Sequence, residues 1–258
     1  MQRQRFFYLL QVQYLGFRYH GWQKQPDVKT VEGMLSRTIA FVLERKNFKL
    51  LASGRTDAMV SAQHSLVELF LEEQPLPDDF FDLLNVNLPP DIRVIRLEEV
   101  DEDFNVIAAP VSKEYLYLFC FGRKMHPFAA PFMTNVMGEL DLPLMQEAAR
   151  LFVGKHDFIN YTYKPRENTR TVTVIDSCEI VANTFHTASF LEGPSYALRI
   201  KGKGFKRHQV RLIMGALFDL GQGRYDLELI ARTLKTGVRI HLDRIAPASG
   251  LILHKVDH

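Results

Sequence analysis

The chain has 258 residues, 47% hydrophobic and 24% charged, with 32 Lys plus Arg against 30 Asp plus Glu and a formal net charge of +2. That balance excludes a disordered chain, and the length holds one large domain or two small ones. The sequence contains no run of the ~20 apolar residues that a membrane-spanning helix needs. Cys120 and Cys178 are too few for a disulfide framework or a thiolate cage, and their apolar, strand-like surroundings predict buried free thiols. From Met1 the chain runs into a strand-like segment without an apolar signal stretch, so a cytoplasmic location is expected.

In chain order, the aromatic and branched residues 5–14 predict a strand. Gly16 and Gly21 bracket a loop of aromatic and basic side chains. Apolar residues at i, i+3, i+4 spacing predict a helix from about Val31 to Glu44, with Thr30 as N-cap. A short strand follows at 48–52, then the polar stretch Ser53 to Asp57. A strand is predicted over 64–71, a helix over 78–85 and a strand over 92–100. In the second half, strands are expected at 114–121, 171–182, 195–202 and 250–256. Helices are expected at 143–153, 205–220 and 226–235.

This order predicts an α+β fold of two halves of ferredoxin-like type. Each would be a mostly antiparallel sheet with helices on one face, and the active-site cleft would lie between the halves. The expected division is 1–107 for the N-terminal half and 108–258 for the C-terminal half, where Ala108, Ala109 and Pro110 interrupt the pattern.

Charge is segregated along the chain. Residues 199–211 carry six Lys and Arg and no acid, and the first 26 residues carry Arg3, Arg5, Arg18 and Lys24, again with no acid. The acidic surplus collects in 68–103. Such a distribution suits one basic face for a polyanion, although the same cations could pair with acids elsewhere in the fold.

The sharpest chemical feature is Gly54-Arg55-Thr56-Asp57 between two apolar strands. A carboxylate two residues from a fixed cation stays ionised at neutral pH, suited to act as a nucleophile or base. The plainer alternative is a turn-capping Asp57 beside a surface Arg55. No second carboxylate pairs with Asp57 as a glycoside hydrolase would require. No Cys/His cluster suggests a metal.

With its neighbours, the tetrad resembles the catalytic motif of the tRNA pseudouridine synthase A family. Tyr19-His20-Gly21-Trp22-Gln23 with Thr30-Val31-Glu32, Asn87 to Ile92, Lys113-Glu114-Tyr115-Leu116-Tyr117, Gly154 to Phe158, Thr169-Arg170-Thr171, Gly204-Phe205, His208-Gln209-Val210-Arg211 and Ala246 to Leu251 follow in family order. They span about residues 8–256.

The resemblance implies isomerisation of uridine to pseudouridine in tRNA, in the anticodon arm, by a homodimer that needs no cofactor or metal. Asp57 would be the catalytic aspartate, Tyr115 would stack on the uracil, and Arg211 would pair with Asp57. Arg55 would touch the RNA backbone or fill the space of a flipped base, whose extrusion costs a few kcal/mol. Arg18, Lys203, Lys206, Arg207 and His208 would bind RNA. On a helix starting at 205, Arg207, His208 and Arg211 would line neighbouring turns near its N-terminus. The other histidines, including His156, His186, His241, His254 and His258, are read as surface or structural. Tyr115 and Tyr117 share a strand face, so a core aromatic stripe would also account for the pair.

The chain also departs from the family pattern. Ala58-Met59-Val60-Ser61 stands where Ala-Gly-Val-His is usual, and Asn105-Val106-Ile107 lacks the customary arginine. Lys206, Arg207 and Gln209 replace residues that are usually apolar or aromatic. These differences leave Asp57, Tyr115 and Arg211 in place and bear on the RNA target. The same chemistry on another structured RNA, or an inert RNA-binding protein on this scaffold, are the alternatives.

Overall fold

The structure, a computed structural model, describes residues 4–258; Arg3, among the N-terminal cations, lies outside the described residues. The fold is mixed α and β with mostly antiparallel strand pairing. The chain forms two compact units, Met1–Val111 with Leu253–His258, and Ser112–Ile252.

In the first unit β1 (Arg5–Tyr14) is central. It pairs antiparallel with β3 (Ser61–Glu72) on one side and β4 (Ile92–Glu99) on the other. The short β2 (Phe48–Ala52) pairs with β3, and β3 also neighbours β11 (Leu251–Asp257). Helix α1 (Val31–Val42) starts where Thr30 Oγ1 accepts from the Gly33 amide at 3.2 Å, the expected cap. Its apolar stripe buries Val31, Leu35 and Ile39, and the adjacent α2 (Phe80–Asn87) buries Phe80 and Leu84. Burial along β1 and β3 is continuous rather than alternating, and Leu10, Val12, Val67 and Leu69 lie in the core together with Leu9 and Leu66.

In the second unit β5 (Ser112–Phe121) pairs antiparallel with β10 (Tyr196–Gly202), and β10 with β9 (Ser177–Ala182). Two short strands had no sequence signal: β6 (Thr134–Val136), parallel to β5, and β7 (Gly154–Asp157). The strand expected over 171–182 is two elements. The Asp176 amide turns aside to the Lys201 carbonyl at 2.8 Å, so β8 (Val172–Ile175) separates from β9 and pairs with β7 in a two-stranded sheet. Helix α3 (Leu142–Leu151) is capped by Asp141, and α5 (Leu227–Thr233) by Asp226.

Helix α4 (Gln209–Gly221) is apolar nearly all round and buried along its length apart from Arg211, as a helix inside a core must be. It begins at Gln209 rather than at 205. His208, its N-cap, is left-handed at φ 58°, and the Lys206 amide is satisfied by Gln209 Oε1 at 2.7 Å. Arg207 therefore precedes the helix, and the helical i, i+4 relation expected between Arg207 and Arg211 does not exist. Cys120 and Cys178 are buried free thiols, and burial pushes both above the ordinary thiol range. Among the described residues no helix is long and apolar enough to cross a membrane.

Candidate active site

In the first unit, Asp57 sits on a loop held by backbone and side-chain contacts to the preceding 14–22 segment. The Trp22 amide donates to the Thr56 carbonyl at 3.1 Å, and the Met59 amide donates to the Tyr19 carbonyl at 3.0 Å. Tyr14 and Thr56 share a hydroxyl hydrogen bond of 2.8 Å. The Val60 amide closes the turn on the Asp57 carbonyl at 3.2 Å. Gly21, at φ 93°, brings its backbone so close that a Cβ there would stand 2.8 Å from the Thr56 carbonyl oxygen. Gly16 fits still more tightly: a Cβ would collide with the Val60 carbonyl, while its amide donates to the buried Ser61 Oγ at 2.9 Å. The two glycines of the aromatic loop are thus the surface against which the Asp57 loop is moulded. A glycine inside an aromatic, basic loop is the signal that could have revealed this role.

The substituted positions occupy defined places in that arrangement. Met59 takes the position expected of glycine, and its backbone is left-handed at φ 65°. Ser61, in place of a histidine, is the acceptor for Gly16. Where the family arginine is missing, Val106 is buried and its amide donates to Glu68 Oε2 at 3.1 Å.

The predicted basic residues have specific neighbours. Arg18 is not an isolated cation: its Nε and Nη2 reach Asp91 Oδ2 at 2.9 and 2.6 Å, and the Tyr19 hydroxyl donates to Asp91 Oδ1 at 2.6 Å. Desolvation first, and then the hydrogen bond to Asp91, push Tyr19 well above the ordinary phenol range. Within the acid-free N-terminal stretch Arg18 is therefore balanced from Asp91, a pairing that only the fold reveals. Arg55 lies exposed on the Asp57 loop.

In the second unit Tyr115 is half-buried on β5, and its ring meets Phe205 edge-on at 5.2 Å. Tyr117 is the structural member of the pair. It is fully buried, and its hydroxyl bonds Thr134 Oγ1 at 2.8 Å and the Pro247 carbonyl at 2.9 Å. Burial pushes its hydroxyl far above the usual range, opposed by the Thr134 hydrogen bond and the Arg211 and Arg244 charges. Arg211 Nε donates to the Ala246 carbonyl at 2.9 Å, and the Ala246 amide donates back to the Arg211 carbonyl at 3.1 Å.

His208 stacks on Tyr163 at 4.4 Å and 23°, with the Arg207 guanidinium 5.0 Å from the same ring centroid. Lys203 and Lys206 lie in the connection before α4. Tyr163 had not been singled out from sequence. Beside it, Asn160 clamps the 233–240 loop through the Thr233 carbonyl, the Val238 carbonyl and the Ile240 amide at 2.7, 3.0 and 2.9 Å. These contacts frame an open groove of about 660 Å³ lined by Tyr163, Lys164, Arg239 and His241. Among the described residues no group of three or more His, Cys, Asp or Glu could hold a metal ion.

The family model described as tRNA pseudouridine synthase matches residues 10–107 and 148–258. Asp57 and Arg211 fall within the matched segments, and Tyr115 falls between them. The chain is 30% identical over 246 residues to a tRNA pseudouridine synthase A of Thermodesulfovibrio yellowstonii, covering 95% of this chain and 96% of that one. It is 31% identical over 249 residues to the enzyme of that name from Lysinibacillus sphaericus, covering 95% and 96%. For the protein of that name from Listeria monocytogenes serotype 4a the figures are 30% over 250 residues, 96% and 97%. Among solved structures, a chain of a Cbf5-Nop10-Gar1 complex aligns over 99% of this chain and 58% of its own at 12% identity and a TM-score of 0.32, a likeness too slight to carry an argument.

The chain belongs to the tRNA pseudouridine synthase family. It is accordingly an isomerase, a pseudouridine synthase.

Proposed function

We propose that this chain converts uridine to pseudouridine in the anticodon arm of tRNA, as a cytoplasmic homodimer whose units are halves of ferredoxin-like type. Asp57 is the catalytic aspartate. The N-glycosidic bond between C1′ and uracil N1 breaks, the detached uracil rotates, and C1′ bonds to C5. The C5 proton leaves and N1 takes up a proton, so the atoms balance without oxidant, water or group donor, and the reaction calls for no cofactor or metal. Tyr115 stacks on the uracil through the rotation, and Arg211 keeps Asp57 ionised and oriented. Arg55 meets the RNA backbone or fills the space of the flipped base, and Arg18, Lys203, Lys206, Arg207 and His208 bind phosphates. Loop nucleotides reduce the cost of extrusion, which suits an anticodon arm.

The observation that carries this reading is the fixed Asp57 loop. Gly16 and Gly21 press against it, and the Thr56, Asp57 and Tyr19 carbonyls are all engaged, which fixes the backbone that carries the carboxylate. The experiment is tritium release from tRNA labelled at uracil C5, because the new carbon–carbon bond displaces that hydrogen. Release by the wild-type chain and none by Asp57→Ala is expected. Release that survives Asp57→Ala would place the reacting group elsewhere. A second reading, the same isomerisation on another RNA, is favoured by Met59 beside the catalytic loop. It predicts release from total cellular RNA but none from purified tRNA.

A further inference from the structure

Met59 adopts a left-handed backbone, φ 65°, which costs a residue with a Cβ and which glycine adopts freely. Core packing does not account for the side chain, which is 37% exposed. The adjoining backbone segment carries two more partly exposed apolar residues, Phe17 at 38% and Leu15 at 36%. Their proximity follows from the backbone. Gly16, between them in sequence, lies so close that its Cβ would be 3.0 Å from the Met59 carbonyl carbon, and the Met59 amide donates to Tyr19. The result is three partly exposed apolar residues, Leu15, Phe17 and Met59, on two backbone segments that touch at Gly16 and Tyr19, with Met59 two residues from Asp57. Arg18 and Arg55 are exposed on the same two loops.

We propose that Phe17 and Met59 form a stacking subsite for an unpaired nucleobase of the substrate RNA, adjacent to the uridine bound at Asp57. The inference rests on the reading of Asp57 as the catalytic residue. Unpaired RNA bases are held by stacking on aromatic rings, with little dependence on base identity. A thioether adds a polarisable contact to a ring face. Arg55, exposed on the Asp57 loop, supplies the positive charge that draws a flanking phosphate onto the apolar surface. Backbone strain persists beside a reacting group where the strained side chain serves function rather than folding.

The test uses Met59→Gly, Met59→Leu and Phe17→Ala in the full chain, reading kcat/KM for tritium release from C5-labelled tRNA, equilibrium tRNA binding and Tm. Met59→Gly keeps or raises Tm, because it relieves the left-handed backbone, while kcat/KM falls about tenfold, the scale of one lost base contact. Met59→Leu keeps the apolar bulk and the same backbone, so it stays within about threefold of wild type at unchanged Tm. Phe17→Ala falls about tenfold or more. Met59→Gly with kcat/KM within about twofold of wild type would overturn the subsite. So would a parallel loss of Tm and activity in Met59→Gly and Met59→Leu, the sign of a purely structural residue. Were wild type inert on this tRNA, the functional reading would fail by itself. The binding measurement would still decide the subsite, since equal Kd for wild type and Met59→Gly overturns it.

Discussion

The amide of Gly16 donates to the hydroxyl of Ser61 at 2.9 Å, fastening the loop before the first helix to the strand that follows Asp57. Both partners are buried and the fit leaves no space for a side chain at Gly16, where a Cβ would meet the Val60 carbonyl. Ser61→Ala strands a buried donor and should cost about 1–3 kcal/mol. Gly16→Ala forces the two loops apart and should cost about 1–3 kcal/mol by overpacking, with a larger loss of activity because the Asp57 loop itself moves. Thermal melts with tritium release on the same samples check both. Activity retained in Gly16→Ala would show that the loop contact does not position Asp57.

A second fastening holds the segment that receives Arg211. Gly215 on α4 lies against the Arg244 carbonyl, where a Cβ would collide. The buried Asp219 carboxylate draws in Arg224 at 3.0 Å and Arg244 at 3.3 Å, with the Arg244 guanidinium 4.9 Å from the Phe218 ring centroid. Two residues beyond Arg244, the Ala246 carbonyl takes Arg211, and next to it the Pro247 carbonyl takes Tyr117. Asp219→Asn keeps the shape and removes the charge, and should cost about 1–3 kcal/mol. If the segment positions Arg211, kcat falls in Asp219→Asn while KM for tRNA stays near wild type. Unchanged kcat in a melt-destabilised variant would limit Asp219 to a structural role.

The parts of this molecule that sequence revealed are those governed by local rules. Thr30 capping α1, the α1 stripe and the aromatic, branched run of β1 follow from short-range chemistry, and their positions agree to within a residue or two. The start of α4 did not follow. Phe205 to His208 have helix-compatible composition, but the Gln209 side chain takes the Lys206 amide and His208 turns left-handed. β6 and β7 are too short to carry periodicity and exist because β5 and β8 supply their hydrogen bonds. In the site, the tetrad and the Arg211 motif were visible as residues. The Asp91 pairing of Arg18 and Tyr19, 73 and 72 positions away, was not. Met59 was visible as a substitution, yet only its φ shows that the backbone still has the glycine conformation.

Glu68 lies on β3 opposite Leu9 and Leu51, buried among apolar side chains. Its Oε2 accepts from the Val106 amide at 3.1 Å, and its Oε1 is buried with no hydrogen-bond partner among the described residues. Burial raises its carboxyl above the usual range, and the Val106 amide only partly offsets that. A carboxyl whose folded pKa is raised binds its proton more tightly in the folded chain, so it destabilises the fold at pH above the folded pKa. Glu68→Gln removes that ionisation while keeping a side-chain carbonyl for Val106. Its Tm should exceed that of wild type at pH 8, and the gap should close toward pH 4. A gap independent of pH would mean that folding leaves the Glu68 pKa unshifted.

His64 gives the opposite dependence. Its Nδ1 accepts from the Val256 amide at 3.4 Å and its Nε2–H donates to Gln11 Oε1 at 2.9 Å, so the neutral ring joins β3 to both β11 and β1. Burial lowers its pKa first, and the positive charges of His258 and Lys255 lower it further, while the Asp257 carboxylate acts the other way. A histidine with a depressed folded pKa binds fewer protons folded than unfolded, so stability rises with pH through this range. Its contribution is complete above the ordinary imidazole value of about 6.5 and is lost as pH falls toward the folded pKa, because a protonated Nδ1 cannot accept from Val256. Wild type should therefore melt lower at pH 5.5 than at pH 7.5, and protection of the Val256 amide relative to its intrinsic exchange rate should be lower at pH 5.5. His64→Gln removes the titration, so its melting temperature should change less between the two pH values. Equal pH dependence in wild type and His64→Gln would assign the effect to another group.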